Sequence, residues 1–443
     1  MGYQILAKLQ RAKRGRSTSS DYILTFLATG LIQGLGIITG VLTARLLGPA
    51  GKGSLATVLW LPGLMTAAGI LALPQAVAFE VSRHPDQEHE LTAAGFWLGL
   101  SLGVIEAAML YPLVPILLGP TKQSLVSLSW LILPILPMIF PGLVLLGIYQ
   151  GRQRFSQYNL LRVSPAVVYV LGLLLLWSVA KFDLFTVVVA NLFAQGITTI
   201  WWAGLAGKKL IPASLTSWRI YAKELVKRGA LFHIPALTGV ILLQTDMALL
   251  IRTVSAQEVG YYSVALSIAM AQLGVATSLV QVTFPRVASV VPQEAAQVLL
   301  RHFRLAQPLV VGMAVLVMVC SPWLIRLLFG SSFLPASPLA FVLIAAMAIW
   351  GLNQILDNGL RSMGYSLPGG LANGLAFVVL VITGMALVQS YRAPGIALAV
   401  FLSQMCAFVV LLVNLRYRVS QFSWRELWGF DFETVSHLLR RRF

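Results

Sequence analysis

The chain has 443 residues, 58% of them hydrophobic and only 11% charged, with a mean hydropathy of +0.82 and a formal net charge of +17. A soluble domain carries roughly a quarter charged residues, so the composition excludes a water-soluble enzyme or nucleic-acid-binding domain and defines an all-α polytopic membrane protein. The two cysteines, Cys320 and Cys406, both sit in apolar runs, which excludes a disulfide framework and a thiol metal site.

A helix needs about 20 apolar residues to cross a bilayer. Twelve candidates follow in order, at 23–46, 54–79, 92–117, 124–148, 163–180, 184–205, 230–251, 259–284, 304–328, 334–356, 367–388 and 394–414. Lipid leaves backbone groups no external partner, so these runs are helices. "LQRAKRGRSTSS" leads directly into the first, and no cleaved leader is expected. Within the first, "GLIQGLGIITG" holds Gly30, Gly34, Gly36 and Gly40, two G-x-x-x-G spacings that read as close helix contact or bending. A dinucleotide fingerprint fails there, because Thr39 stands where its third glycine belongs. No cofactor is expected.

The next stretch, "TARLLGPAGKGS", imitates a phosphate loop, but Leu46 replaces the first glycine and Gly53 the Ser or Thr after the lysine. It reads instead as an outer turn, in which Gly48, Pro49, Gly51 and Gly53 reverse the chain. Charged residues within spans are functional candidates. Glu106 lies in the middle of the third span, either as a protonation site or as a carboxyl bonded to a neighbouring helix. Asp246 lies deep in the seventh, within "LLQTDMALL". It is either a cavity ion pair or coupling carboxylate, or a structural salt bridge to an arginine such as Arg252. Asp357 and Arg361, four apart on one helical face, are expected to pair. Gln33, Gln75, Gln244, Gln281, Asn353 and Gln354 are uncharged polar residues in spans, set to line a cavity or to bond between helices. His233 reads as structural.

With the N-terminus inside, 25 of the 32 Lys and Arg fall in inner segments, which places both termini in the cytoplasm. The basic segments 207–229 and 416–443 mix aromatic, aliphatic and cationic residues. They read as interfacial helices on anionic lipid, with a solvated linker and tail as the other reading, of equal weight for the first segment. Arg45, Gly53 and Leu59 recur as Arg252, Gly260 and Leu266 at an offset of 207, Phe155 as Tyr365, and Gln195 as Gln404. The expected organisation is therefore an N-terminal lobe (1–206), a linker (207–229), a C-terminal lobe (230–415) and a tail (416–443). The lobes are two pseudo-symmetric, parallel repeats of six spans.

"ARLLGPAGKGSLA", "QTDMALLIR", "EVGYYSVA" and "FPRVAS" occur in that order. With them the chain resembles the polysaccharide, or O-antigen, flippase branch of the multidrug/oligosaccharidyl-lipid/polysaccharide (MOP) exporter superfamily. The resemblance implies two lobes about a V-shaped central cavity, alternating access, and an oligosaccharide on an undecaprenyl-diphosphate type of carrier. It also implies an inner-membrane location and partnership with polymerase machinery. A diphosphate calls for cations, above all arginine forks. Arg45 and Arg252, equivalent near the outer face, would receive or release it or gate the mouth; snorkelling to headgroups is the other reading. Arg83 and Arg286, at inner helix ends, would capture it, or sit there from topology alone. The alternative function is an ion-coupled drug/cation antiporter of the same superfamily. Only 15 acidic residues are available for a cationic substrate. Short outer loops offer no catalytic pair, and an enzyme is not expected.

Overall fold

The computed structural model describes residues 2–212, 214–288, 292–365 and 367–418, with side chains from residue 20 onward apart from a few positions, Gln281 and Arg286 among them. The expected tail helix lies outside the described residues from 419 on. Among the described residues every regular element is helical. Seven helices are long and apolar enough to cross a membrane, or nine when two pairs, bent by 47° and 43°, each count as one span. Two of the seven, Ile23–Arg83 and Leu367–Tyr417, run 61 and 51 residues, more than twice the bilayer need of about 20. Gly48 (φ 69°) interrupts the first, which breaks again at Leu71 and Ala72, and Arg392 (φ 52°) interrupts the second. Counting each as two, and adding the helix Leu215–Thr253, gives twelve rods among the described residues.

The chain divides into two compact units, Met1–Gly48 with Thr57–Leu237 and Pro49–Ala56 with Thr238–Phe443. The first unit contains most of α1 (Gly2–Ala68), α2 (Leu73–Arg83), α3 (Glu88–Leu118), α4 (Val126–Ile132), α5 (Ile135–Gly151), α6 (Phe155–Ser178) and α7 (Leu184–Ala206). At its centre is α5, whose Phe140, Val144, Leu145 and Ile148 are buried. Gly147 and Gly151 on one face let α5 approach α2, because a Cβ at either would collide with the Pro74 or Ala78 carbonyl. This close approach is the use of a small-xxx-small pair. Among the described residues the four glycines of the first span have nothing within 4 Å of a built Cβ, so of the two readings, contact or bending, close contact is not what they supply.

The second span is broken. Its helix stops at Ala68, Leu71 and Ala72 are left-handed (φ 52° and 47°), and α2 restarts at Leu73 ahead of Pro74. Proline disfavours helix at the residue before it and lacks the donor that would continue the ladder. The break leaves carbonyls without helical donors. His233 Nε2 donates to one of them, Ala68 O, at 2.7 Å, and Gly229 seats against the Leu71 carbonyl. Both come from α8 (Leu215–Thr253), a single helix that takes up residues 215–229 of the stretch read as a linker and runs on through Asp246. Arg228 holds buried Glu80 at 2.7 Å and stacks on Phe79, where Arg83 also lies 4.5 Å from the ring centroid.

The second unit adds α9 (Ala256–Ala271), α10 (Leu273–Ala288), α11 (Pro292–Leu328), α12 (Ser337–Ser362) and α13 (Leu367–Arg418). Here α12 is central and buried along most of its length. Ser255 and Glu258 form a reciprocal cap at the start of α9. Of the four residues read as a turn, only Gly48 leaves the helix, and Pro49 starts the next one. Gly53 lies inside that helix, where its missing side chain admits the Ala256 carbonyl; Gly260 likewise admits the Pro49 carbonyl. The two repeat-related glycines thus pack directly on each other, 3.1 Å separating a Cβ built on Gly260 from Gly53 N.

Candidate functional site

In the first unit, α1, α5, α6 and α7 enclose a cavity of about 280 Å³. Arg162, two turns into α6, faces it together with Gln195, Thr198 and Thr199 of α7. The guanidinium is held loosely: Nη2 donates to Thr29 Oγ1 at 3.3 Å and Nη1 to Asn159 Oδ1 at 3.4 Å. Asn159 is itself fixed by donating to Thr25 Oγ1 at 2.9 Å, and the Tyr158 ring lies under the guanidinium with its centroid 5.3 Å away. Thr199 is tied to the Met138 carbonyl at 2.9 Å and receives the Gln195 amide at 3.4 Å. Among the described residues no carboxylate pairs with Arg162. The rest of the wall is apolar, including Ile32, Ile139 and Leu143. A cation with spare donors, set among hydroxyls and an amide in an apolar wall, suits an anionic group that also carries hydroxyls.

The second unit repeats this pocket with different chemistry. Asn353 of α12 and Asn373 and Gln404 of α13 line a cavity of about 20 Å³, close to the room one water needs. Gly142 and Asn353 are 211 residues apart, Arg162 and Asn373 also 211, and Gln195 and Gln404 209. These offsets match those of the repeat. The side chain at Asn353, absent at Gly142, takes up the space: its Nδ2 donates to Gln404 O at 3.0 Å and to Oε1 at 3.2 Å. Asp357 enters this cavity but is paired with Arg361 at 2.8 Å. The two pockets therefore differ in kind, one roomy and cationic, the other nearly filled and rich in amides.

The expected site residues fall in several places. Asp246 is buried and takes a hydrogen bond from Tyr262 Oη at 2.6 Å and from Met247 N at 2.7 Å. An arginine six positions away, Arg252, lies on a different face of the same helix, which is why the two do not meet. Arg252 and Arg45 are both exposed. Glu106 points at Gly69 where the second span breaks, and its Oε2 is buried with no hydrogen-bond partner among the described residues. Gln33 and Gln75 are exposed and Gln244 half-buried, none of them lining either pocket. Gln281 and Arg286 lie on α10 with side chains outside those described. Arg162 was missed because the apolar run starts at 163, whereas the helix starts at Phe155. The available signal was the i, i+3 pair of Asn159 and Arg162 just before that run.

Several solved structures share this architecture. A lipid II flippase, MurJ, described in an inward closed conformation, matches with a TM-score of 0.73 at 14% identity, over 94% of this chain and 92% of that one. An inward-facing multidrug resistance MATE family transporter of the MOP superfamily matches at 0.72 and 16%, over 89% and 98%. A MOP superfamily transporter from Pyrococcus furiosus, described as having a binding pocket of reversed polarity, matches at 0.62 and 16%, over 90% and 94%. No curated protein matches the chain in sequence. The fold is thus an all-α polytopic membrane fold shared with these structures. The sequence matches the family described as "Polysaccharide biosynthesis protein" over residues 20–291, and the chain belongs to that family.

Proposed function

We propose that the protein carries a polyprenyl-diphosphate-linked oligosaccharide from the cytoplasmic to the outer leaflet of the inner membrane, by alternating access of its two units. The observation that supports this reading most is Arg162, a guanidinium that no carboxylate among the described residues pairs with, in a cavity of about 280 Å³. It suits the diphosphate, while Gln195, Thr198 and Thr199 suit sugar hydroxyls. A cationic drug would meet repulsion at the same place. The termini lie in the cytoplasm on this reading, as the Lys and Arg distribution requires. Polysaccharide polymerase machinery would receive the product.

Deleting the gene and profiling polyprenyl-diphosphate lipids by mass spectrometry tests the reading. The expected result is build-up of one glycan-bearing species. Normal lipid levels with new sensitivity to cationic drugs would overturn it in favour of the antiporter.

A further inference from the structure

Where α3 and α6 begin and α5 and α7 end, the first unit carries a second cavity, of about 270 Å³. At its rim Glu88 holds three cations: Arg152 at 2.9 Å, Arg154 at 3.2 Å and Lys209 at 2.9 Å. One carboxylate leaves two of these positive charges uncompensated. The arrangement is directional, because the Glu88 side chain is only 11% exposed while those of Arg154 and Lys209 are 38% and 46% exposed. The backbone after Lys209 is anchored to α3, with Trp97 Nε1 donating to Leu210 O and His89 Nε2 to Ile211 O, both at 2.8 Å. Lys209 is therefore placed rather than trailing.

The opposite wall is apolar. Leu145 and Trp202 form its buried floor, and Leu205 continues it at 60% exposure. Trp201, beside Trp202 at 5.1 Å between centroids, is also exposed. Tryptophans at helix ends mark the membrane interface. Phe96, Leu145, Leu161 and Trp202 form one hydrophobic cluster, and its Leu161 and Leu145 face the Arg162 cavity and this one respectively. The two sites are thus distinct. Paired cations at the interface, a nearby Gln157 amide and an exposed apolar wall match one amphiphile. It has an anionic phosphate, hydroxyls next to it, and acyl chains.

We propose that this cavity binds an anionic glycerophospholipid of the cytoplasmic leaflet through its phosphate. Basic pockets between transmembrane helices on that side take such headgroups. A zwitterionic lipid brings its own cation against Arg154 and Lys209 and binds less well. The site stands whether or not the transported substrate is the one proposed above.

Native mass spectrometry of the purified full-length protein tests it, with phosphatidylglycerol, phosphatidylcholine of the same chains, and inorganic phosphate as probes. Phosphatidylglycerol should be retained in preference to phosphatidylcholine. The double variant Arg154→Gln/Lys209→Gln should weaken that retention roughly 25-fold, about fivefold for each cation, and leave phosphatidylcholine unchanged. Lys209→Gln alone, which keeps both arginines on Glu88, should show about the fivefold step even if the double variant misfolds. Equal retention of the two lipids, or of phosphatidylglycerol by protein and variants, overturns the proposal. Displacement of the lipid by inorganic phosphate at millimolar concentration also overturns it, in favour of a free-anion site.

Discussion

Replacing Arg162 with glutamine should abolish most transport while leaving a folded protein. Hydrogen bonds to a charged group contribute about 1.5–3 kcal/mol, so losing those to a diphosphate should lower export about 10- to 100-fold. The contacts Arg162 makes within the chain are long, 3.3 and 3.4 Å, and their loss costs stability little. Arg162→Lys keeps the charge but gives up the planar fork, and should fall between the two. Surface polysaccharide in a deletion strain carrying each variant, with protein level measured alongside, gives the readout. Full export by Arg162→Gln at normal protein level would remove this residue from the site.

Substituting alanine at Gly53 or Gly260 should have the largest structural effect. The atoms in the way are backbone carbonyls, of Ala256 and Pro49 respectively, and these cannot rotate aside as a side chain would. The helices must separate, at a cost of about 1–3 kcal/mol or more for an overpacked contact. Gly34→Ala is the control: nothing lies within 4 Å of its built Cβ, and a change of no more than about 0.5 kcal/mol is expected. Thermal melting in detergent compares the three. Melting temperatures for Gly53→Ala and Gly260→Ala equal to that of Gly34→Ala would show that the glycine contact does not hold the unit together.

Hydropathy made the succession of helices legible, because lipid forces apolar runs into helix. The repeat was legible from Arg45 and Arg252, Gly53 and Gly260, Gln195 and Gln404. What hydropathy misses is a polar helix face turned inward. Asn159 and Arg162 lie before the apolar run, yet the helix reaches back to Phe155, so hydropathy does not place Arg162 on a helix face that lines a cavity. Spacing alone also cannot say which glycines meet a neighbour. The pairs in the first span meet open space, whereas Gly147 and Gly151 carry the close crossing. Asp246 shows a third limit. Charge suggested an arginine partner, but a phenol one helix on, Tyr262, is what the fold brings to it. The break in the second span was marked by Gly69 and Pro74, and apolar residues on both sides concealed it.

On the proposed function, this chain moves a lipid-linked glycan across a membrane. The most direct measurement reconstitutes it in vesicles holding a polyprenyl-diphosphate oligosaccharide and adds a glycosidase that cannot cross the bilayer. Glycan from the inner face is expected to become accessible with the wild-type protein and not with Arg162→Gln. Glycan that stays protected in vesicles containing the wild-type protein, while a cationic dye is transported, would contradict it.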